Sequence, residues 1–166
     1  EEVISTLNDL VRQGKIRHYG FSDAPAWYVA RAYTLAEKEG KEPLIALQLE
    51  YSLIERSIER EHIPAAQELG LGICPWSPLG SGRLLSDPTL SGIARKHGKS
   101  VAQTIIRWHL HQGLIVIPKS IHQDRIAANF DVYDFELDAQ YLALIRGMDS
   151  AAGRVGADPA TASFLF

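Results

Sequence analysis

The chain has one cysteine, Cys74, and one methionine, Met148, among 166 residues. A single thiol excludes an intrachain disulfide and a cysteine-rich metal site, and it fits a reducing cytoplasm, the compartment expected here. No apolar run approaches the ~20 residues that a membrane-spanning helix needs, and none reads as a secretory leader. An excess of charge of one sign is lacking too. The 17 Lys and Arg stand against 20 Asp and Glu, a net charge of −3, which excludes a broadly basic surface for nucleic acid or anionic lipid. No segment repeats at a fixed period, so a solenoid is excluded. What is present is an ordinary globular composition, 46% hydrophobic and 22% charged. A chain of this size buries about two-thirds or more of its unfolded surface, enough for one domain with a real core.

Residues 1–13 place Val3, Leu7, Leu10 and Val11 on one stripe, which predicts a helix that Gly14 can end. Residues 16–22 read as a strand. Asp23 is then a candidate N-cap, Pro25 suits a first turn, and Val29, Ala32, Tyr33 and Ala36 keep helical register. Pro43 precedes a second strand, 44–51, and a second helix spans 58–69 with Gly70 as its stop. Residues 72–77 form a third strand, broken by Pro78-Leu-Gly-Ser-Gly82. A short helix over 88–97 follows, and Ser100 caps a helix carrying Val101, Ile105, Ile106, Trp108 and Leu110, apolar on so much of its surface that it must be covered. Asp138 caps a last helix with Tyr141, Leu144, Ile145 and Met148. The Ala- and Gly-rich tail, 150–166, is expected to be irregular, leaving 1–149 as one α/β domain.

The most telling stretch is 114–129. Its β-branched run 114–117 predicts a fourth strand, stopped by Pro118, and a helix follows with Ile126 and Phe130 four apart. Lys119 and Ser120 sit in the turn, and Arg125 in the helix's first turns. An ammonium, a hydroxyl and a guanidinium beside a helix N-terminus outline a phosphate site. The same residue types also suit a solvated loop, and the residues alone leave both readings open. Four strands alternating with helices imply parallel pairing, and their carboxyl ends carry Ser22, Asp23, Gln48, Trp76, Ser77, Lys119 and Ser120, the edge where parallel α/β folds hold ligands.

Four motifs in order, Gly20-Phe-Ser-Asp23, Gln48-Leu-Glu-Tyr-Ser52, Trp76-Ser-Pro-Leu-Gly-Ser-Gly82 and Ile117-Pro-Lys-Ser120 with Arg125 and Asn129, resemble the aldo-keto reductase family across nearly the whole chain. The resemblance implies strands five to eight of a (β/α)8 TIM barrel with a C-terminal accessory helix. It also implies an NADP(H) site. By that likeness Ser22, Asp23 and Gln48 hold the nicotinamide carboxamide, and Trp76 stacks on the nicotinamide ring. Ser77, Leu79, Gly80 and Ser81 take the pyrophosphate, Lys119, Ser120 and Arg125 the 2′-phosphate, and Asn129 the adenine. Asp23 replaces the family's common asparagine and Ala128 its frequent glutamate, which together imply weaker binding. The family's catalytic tyrosine, lysine, aspartate and histidine lie on strands one to four, and nothing in this sequence matches them, so no catalytic residue is assigned. The chain is therefore expected to be a half-barrel, inactive alone. It would work with a complementary N-terminal half, carried on another chain or omitted from this one, or persist as a non-catalytic homo-oligomer, since two open sheet edges favour a dimer.

Other candidates read as structure. His109 and His111, two apart on a helix, do not share a face and make no metal pair. His18 is expected in a strand as a structural histidine, Trp108 in the core, Cys74 as a small buried side chain, and 55–62 as a solvated helix start. Residues 154–166 are a candidate remnant of a substrate loop.

Overall fold

Side-chain caps open three of the seven α-helices among the described residues. The structure, a computed structural model, describes residues 1–157. Its elements are α1 (Glu2–Arg12), β1 (Gly20–Ser22), α2 (Ala26–Lys38), β2 (Ala46–Glu50), α3 (His62–Leu69), β3 (Gly72–Trp76), α4 (Pro88–Lys96), α5 (Val101–His111), α6 (Gln123–Phe130) and α7 (Ala139–Arg146), with 3₁₀ segments at Ser57–Glu59 and Gly80–Ser86. Asp87 accepts from the Leu90 N–H at the start of α4, and Asp138 from the Tyr141 N–H at the start of α7. Ser100 and Gln103 form a reciprocal capping box on α5. Gly70 closes α3 at φ 67°, a left-handed turn open to glycine without penalty.

The chain divides into two compact units, Glu1–Leu49 with Ile58–Ile73, and Glu50–Ser57 with Cys74–Gly156. In the first, β1 pairs parallel to β2 with Ser22 opposite Gln48, and the strand order is β1-β2-β3. Leu47 and Leu49 face inward, and Gln48 between them faces out, the period-two pattern of a strand. They pack in a core with Ile4, Val29, Ala32, Ala36 and Leu44, so the predicted 29/32/36 stripe of α2 is its buried face. Gly20 is required by close approach, because a Cβ there would stand 2.5 Å from the Ala46 carbonyl oxygen.

The second unit buries Leu90, Ile93, Ile105, Ile106, Trp108 and Ile145. Trp108 stacks on Tyr51 with centroids 5.4 Å apart. His109 is fully buried, its Nδ1 2.9 Å from the Ile105 carbonyl oxygen and its Nε2 3.4 Å from that of Tyr51. Burial lowers its pKa, and the two carbonyls oppose that only in part. The unfolded chain therefore binds a proton near pH ~6.5 that the native state refuses. Stability from this residue is present above that pH and is lost as pH falls toward the depressed native value, at up to ~1.4 kcal/mol per pH unit. Urea melts between about pH 7.5 and about pH 5.5 should show this slope, and His109→Gln, which does not titrate, should flatten it relative to the parent. Equal slopes in both proteins would remove His109 as the cause.

Several expectations are corrected. The parallel α/β architecture holds, but among the described residues it contains three strands, not four. The run 114–117 joins no ladder and lies in no helix or strand. β-Branched composition favours an extended backbone, but a strand exists only by pairing. β1 starts at Gly20, which leaves His18 exposed and outside the sheet. Asp23 is no N-cap: its backbone is left-handed at φ 48°, its N–H donates to the Gln48 carbonyl, and Pro25 occupies the cap position without a side-chain bond. The segment 55–62 is not a solvated helix start, because Glu55 and Ile58 are buried and α3 begins only at His62. Cys74 is half-buried. Residues 150–157 form turns and irregular chain; 158–166, expected to be irregular and to carry the end of a substrate loop, lie outside the described residues. Among the described residues no helix is long and apolar enough to cross a membrane.

Candidate cofactor site

After Trp76, at the end of β3, the backbone reverses through an unusual run. Ser77 (φ 54°), Gly80 (56°), Ser81 (55°) and Gly82 (87°) all lie in the left-handed region. Two of these four are serines, for which that conformation costs on the order of 1 kcal/mol or more each. Local bonds hold it: Gly80 N–H donates to the Ser77 carbonyl at 2.8 Å, Ser81 N–H to Ser77 Oγ at 3.1 Å, and the two hydroxyls lie 3.2 Å apart. Among the described residues the non-glycine residues at positive φ are Asp23, Ser77 and Ser81, each a site candidate from sequence. Backbone strain of this kind concentrates at functional sites.

In the second unit this loop borders a cavity of ≈700 Å³, within the usual range for a ligand site. Ser77, Leu79 and Ser81 line it together with Lys119, Ser120, Arg125 and Asn129. Residues of two distant motifs therefore share one cavity. Gly80 does not line the cavity; it is buried, and a Cβ there would meet Ile54 Cδ1 at 3.0 Å. Its part is to let the loop pass. Lys119 and Arg125 are exposed, and α6 begins at Gln123 without a side-chain cap, so its first amides face outward with Arg125 in the first turn. Ser120 Oγ accepts from the His122 N–H at 3.1 Å, which shapes the approach to the helix. Ser100, Ala102 and Ile106 of α5 complete the wall, a contribution the motifs did not signal. Two cations, four hydroxyls and a carboxamide around one cavity suit a phosphorylated, hydrogen-bonding ligand.

In the first unit, Ser22 and Asp23 line a separate cavity of ≈550 Å³ at the end of β1, with the Ser22 hydroxyl donating to Asp23 Oδ2 at 3.2 Å. Gln48 lies opposite Ser22 in the ladder and is exposed. Trp76 is half-buried in the second unit. Glu50 is a residue to which the sequence reading gave no role. Glu50, 3% exposed, accepts from the N–H groups of Val155 and Gly156, and Arg154 pairs with Glu55 at 3.1 Å.

Parallel strands alternating with helices define an α/β protein of the class that holds ligands at its strand ends. The chain belongs to the aldo/keto reductase family, whose model matches residues 1–150. It is 42% identical over 153 residues to an aldo-keto reductase of Mycolicibacterium smegmatis, covering 92% of this chain and 53% of that one. It is 37% identical over 153 residues to the glyoxal reductase of Bacillus subtilis, again covering 92% and 53%. A variant of Gox0644 crystallised in complex with NADPH superposes with a TM-score of 0.83 at 38% identity, covering 96% of this chain and 57% of that one. The chain thus spans about half the length of the curated relatives it matches.

Proposed function

We propose that this chain is the NADP(H)-binding half of an oxidoreductase barrel, corresponding to strands five to eight, and that it is inactive in carbonyl reduction without a complementary half. The observation that carries the reading is the convergence of Lys119, Arg125 and the hydroxyls of Ser77, Ser81 and Ser120 on one cavity beside the start of α6. A structure of a 38% identical protein with NADPH bound supports the choice of ligand.

NADPH, when bound, supplies a hydride for carbonyl reduction. The chain's own residues bind and orient. Lys119 and Arg125 neutralise the 2′-phosphate that distinguishes NADP from NAD, and the outward amides of α6 add partial positive charge. Ser77 and Ser81 offer hydroxyls to the pyrophosphate, Asn129 offers a donor and an acceptor to the adenine, and Trp76 offers an aromatic face to the nicotinamide. In the first unit, Gln48 can both donate to and accept from a carboxamide, whereas the Asp23 carboxylate can only accept. No residue of this chain is assigned as proton donor.

A second reading has its own support. Ile117, Phe130 and Tyr133 are 67%, 76% and 69% exposed around one apolar groove, which favours a partner, either a second copy of this chain or a complementary half-barrel. Tryptophan-fluorescence titration decides the first reading. NADPH should bind at least roughly tenfold more tightly than NADH. Absence of binding at about millimolar NADPH would leave the non-catalytic, self-associating reading standing.

A further inference from the structure

Resting on the cofactor reading just given, we infer that residues 150–156 form a strap that positions the Trp76 indole and the 77–82 loop, with Arg154 as its positioning residue. Both ends of the strap are tied to groups of the second unit, and at its downstream end these are buried carboxylates. Glu50, at the end of β2, accepts from Val155 N–H at 2.5 Å and Gly156 N–H at 2.7 Å, and Arg154 Nη1 stands 3.8 Å from the same carboxylate. Arg154 Nη2 donates to Glu55 Oε1 at 3.1 Å and to Ser57 Oγ at 2.6 Å. Upstream, Ser150 N–H donates to the Ile54 carbonyl at 3.3 Å. Charge-assisted bonds to carboxylates 3% and 5% exposed are the strong kind, and losing the cation would leave two buried anions with fewer partners.

The strap touches the candidate site twice. A Cβ built on Gly156 would fall 2.5 Å from Trp76 Cη2, 2.9 Å from its Cζ2 and 3.0 Å from Glu50 Oε2. The strap backbone therefore runs against the edge of the indole six-membered ring and limits its swing. Arg83 makes the second contact, its Nε donating to the Gly80 carbonyl at 3.2 Å while Nη1 and Nη2 donate to the Ala152 and Gly153 carbonyls. One guanidinium thus joins the strap to the strained serine loop. Gly153 is fitted as closely, since a Cβ there would overlap the Ile54 carbonyl oxygen at 1.5 Å. An aromatic platform stacks well only when its plane is held, and this strap holds it from one edge.

The chain labelled with 5-fluorotryptophan tests this by ¹⁹F NMR, with the Trp76 signal assigned from Trp76→Phe. Arg154→Ala and Gly156→Ala should each move or broaden the Trp76 resonance and leave those of Trp27 and Trp108 in place. Both should raise the Kd for NADPH by about fivefold or more, and Arg154→Lys, which keeps the charge, should fall between parent and Arg154→Ala. Gly156→Ala keeps Arg154 and its bond to Glu55, so it reads the contact with the indole even if Arg154→Ala folds poorly. An unmoved Trp76 resonance in Gly156→Ala overturns the strap. A moved resonance with unchanged NADPH affinity supports the strap and counts instead against Trp76 as a cofactor contact.

Discussion

Replacing Lys119 and Arg125 together by alanine is expected to raise the Kd for NADPH by roughly 100-fold while leaving that for NADH within about twofold. A charge-assisted hydrogen bond contributes about 1.5–3 kcal/mol when well shielded. Both side chains are exposed, so water and salt take a share, and about 1.4 kcal/mol each, or tenfold each, is the reasonable allotment. The preference for NADPH should shrink further as ionic strength rises, because the phosphate interaction is screened and stacking is not. Neither side chain is in an ion pair or hydrogen bond among the described residues, so the double variant should melt within about 0.5 kcal/mol of the parent. If NADH weakened as much as NADPH, the cations would be holding the pyrophosphate or acting as a general field. If neither cofactor weakened, the cavity would not be the 2′-phosphate site.

Three helix ends were legible in the sequence from side chains or a glycine acting locally, whereas the partners of buried charges were not. Ser100 with Gln103, Asp138 ahead of Tyr141, and Gly70 after Leu69 announce helix ends because each acts on backbone within three or four residues. The 77–82 and 119–129 motifs announced one cavity because the turn residues and cations are the chemistry itself. Asp23 misled because its type fits an N-cap equally well as a left-handed turn, and only the bond from its N–H to the Gln48 carbonyl decides between them. Glu55 looked solvated because its partner, Arg154, lies 99 residues away. Glu50 was hidden in the same way: a carboxylate inside a strand motif gives no sign that it caps a distant backbone. The run 114–117 is the opposite failure, a segment whose composition is right and whose partner is absent among the described residues.

That run leads to the other large effect, in the association of the chain with itself. Among the described residues the backbone from 115 to 117 hydrogen-bonds to no neighbouring strand, so its donors and acceptors are open to pairing. Beside it, α6 buries none of its residues, and Ile117, Ile126, Phe130 and Tyr133 surround a groove of ≈270 Å³. An amphipathic helix with an exposed apolar stripe next to a segment without backbone partners offers both polar pairing and apolar burial to a partner. A second copy brings the same two features and can satisfy both at once by a twofold arrangement. Light scattering of the chain should therefore give the mass of a dimer or a larger closed assembly. Ile117→Lys with Phe130→Glu removes two apolar contacts and should weaken association by roughly 30-fold or more, which asks about 1 kcal/mol or more of each. Both side chains are largely in water already, so the substitutions should cost the monomer little stability. A monodisperse monomer from the unsubstituted chain would sink the proposal, and association that survives both substitutions would move the interface away from α6.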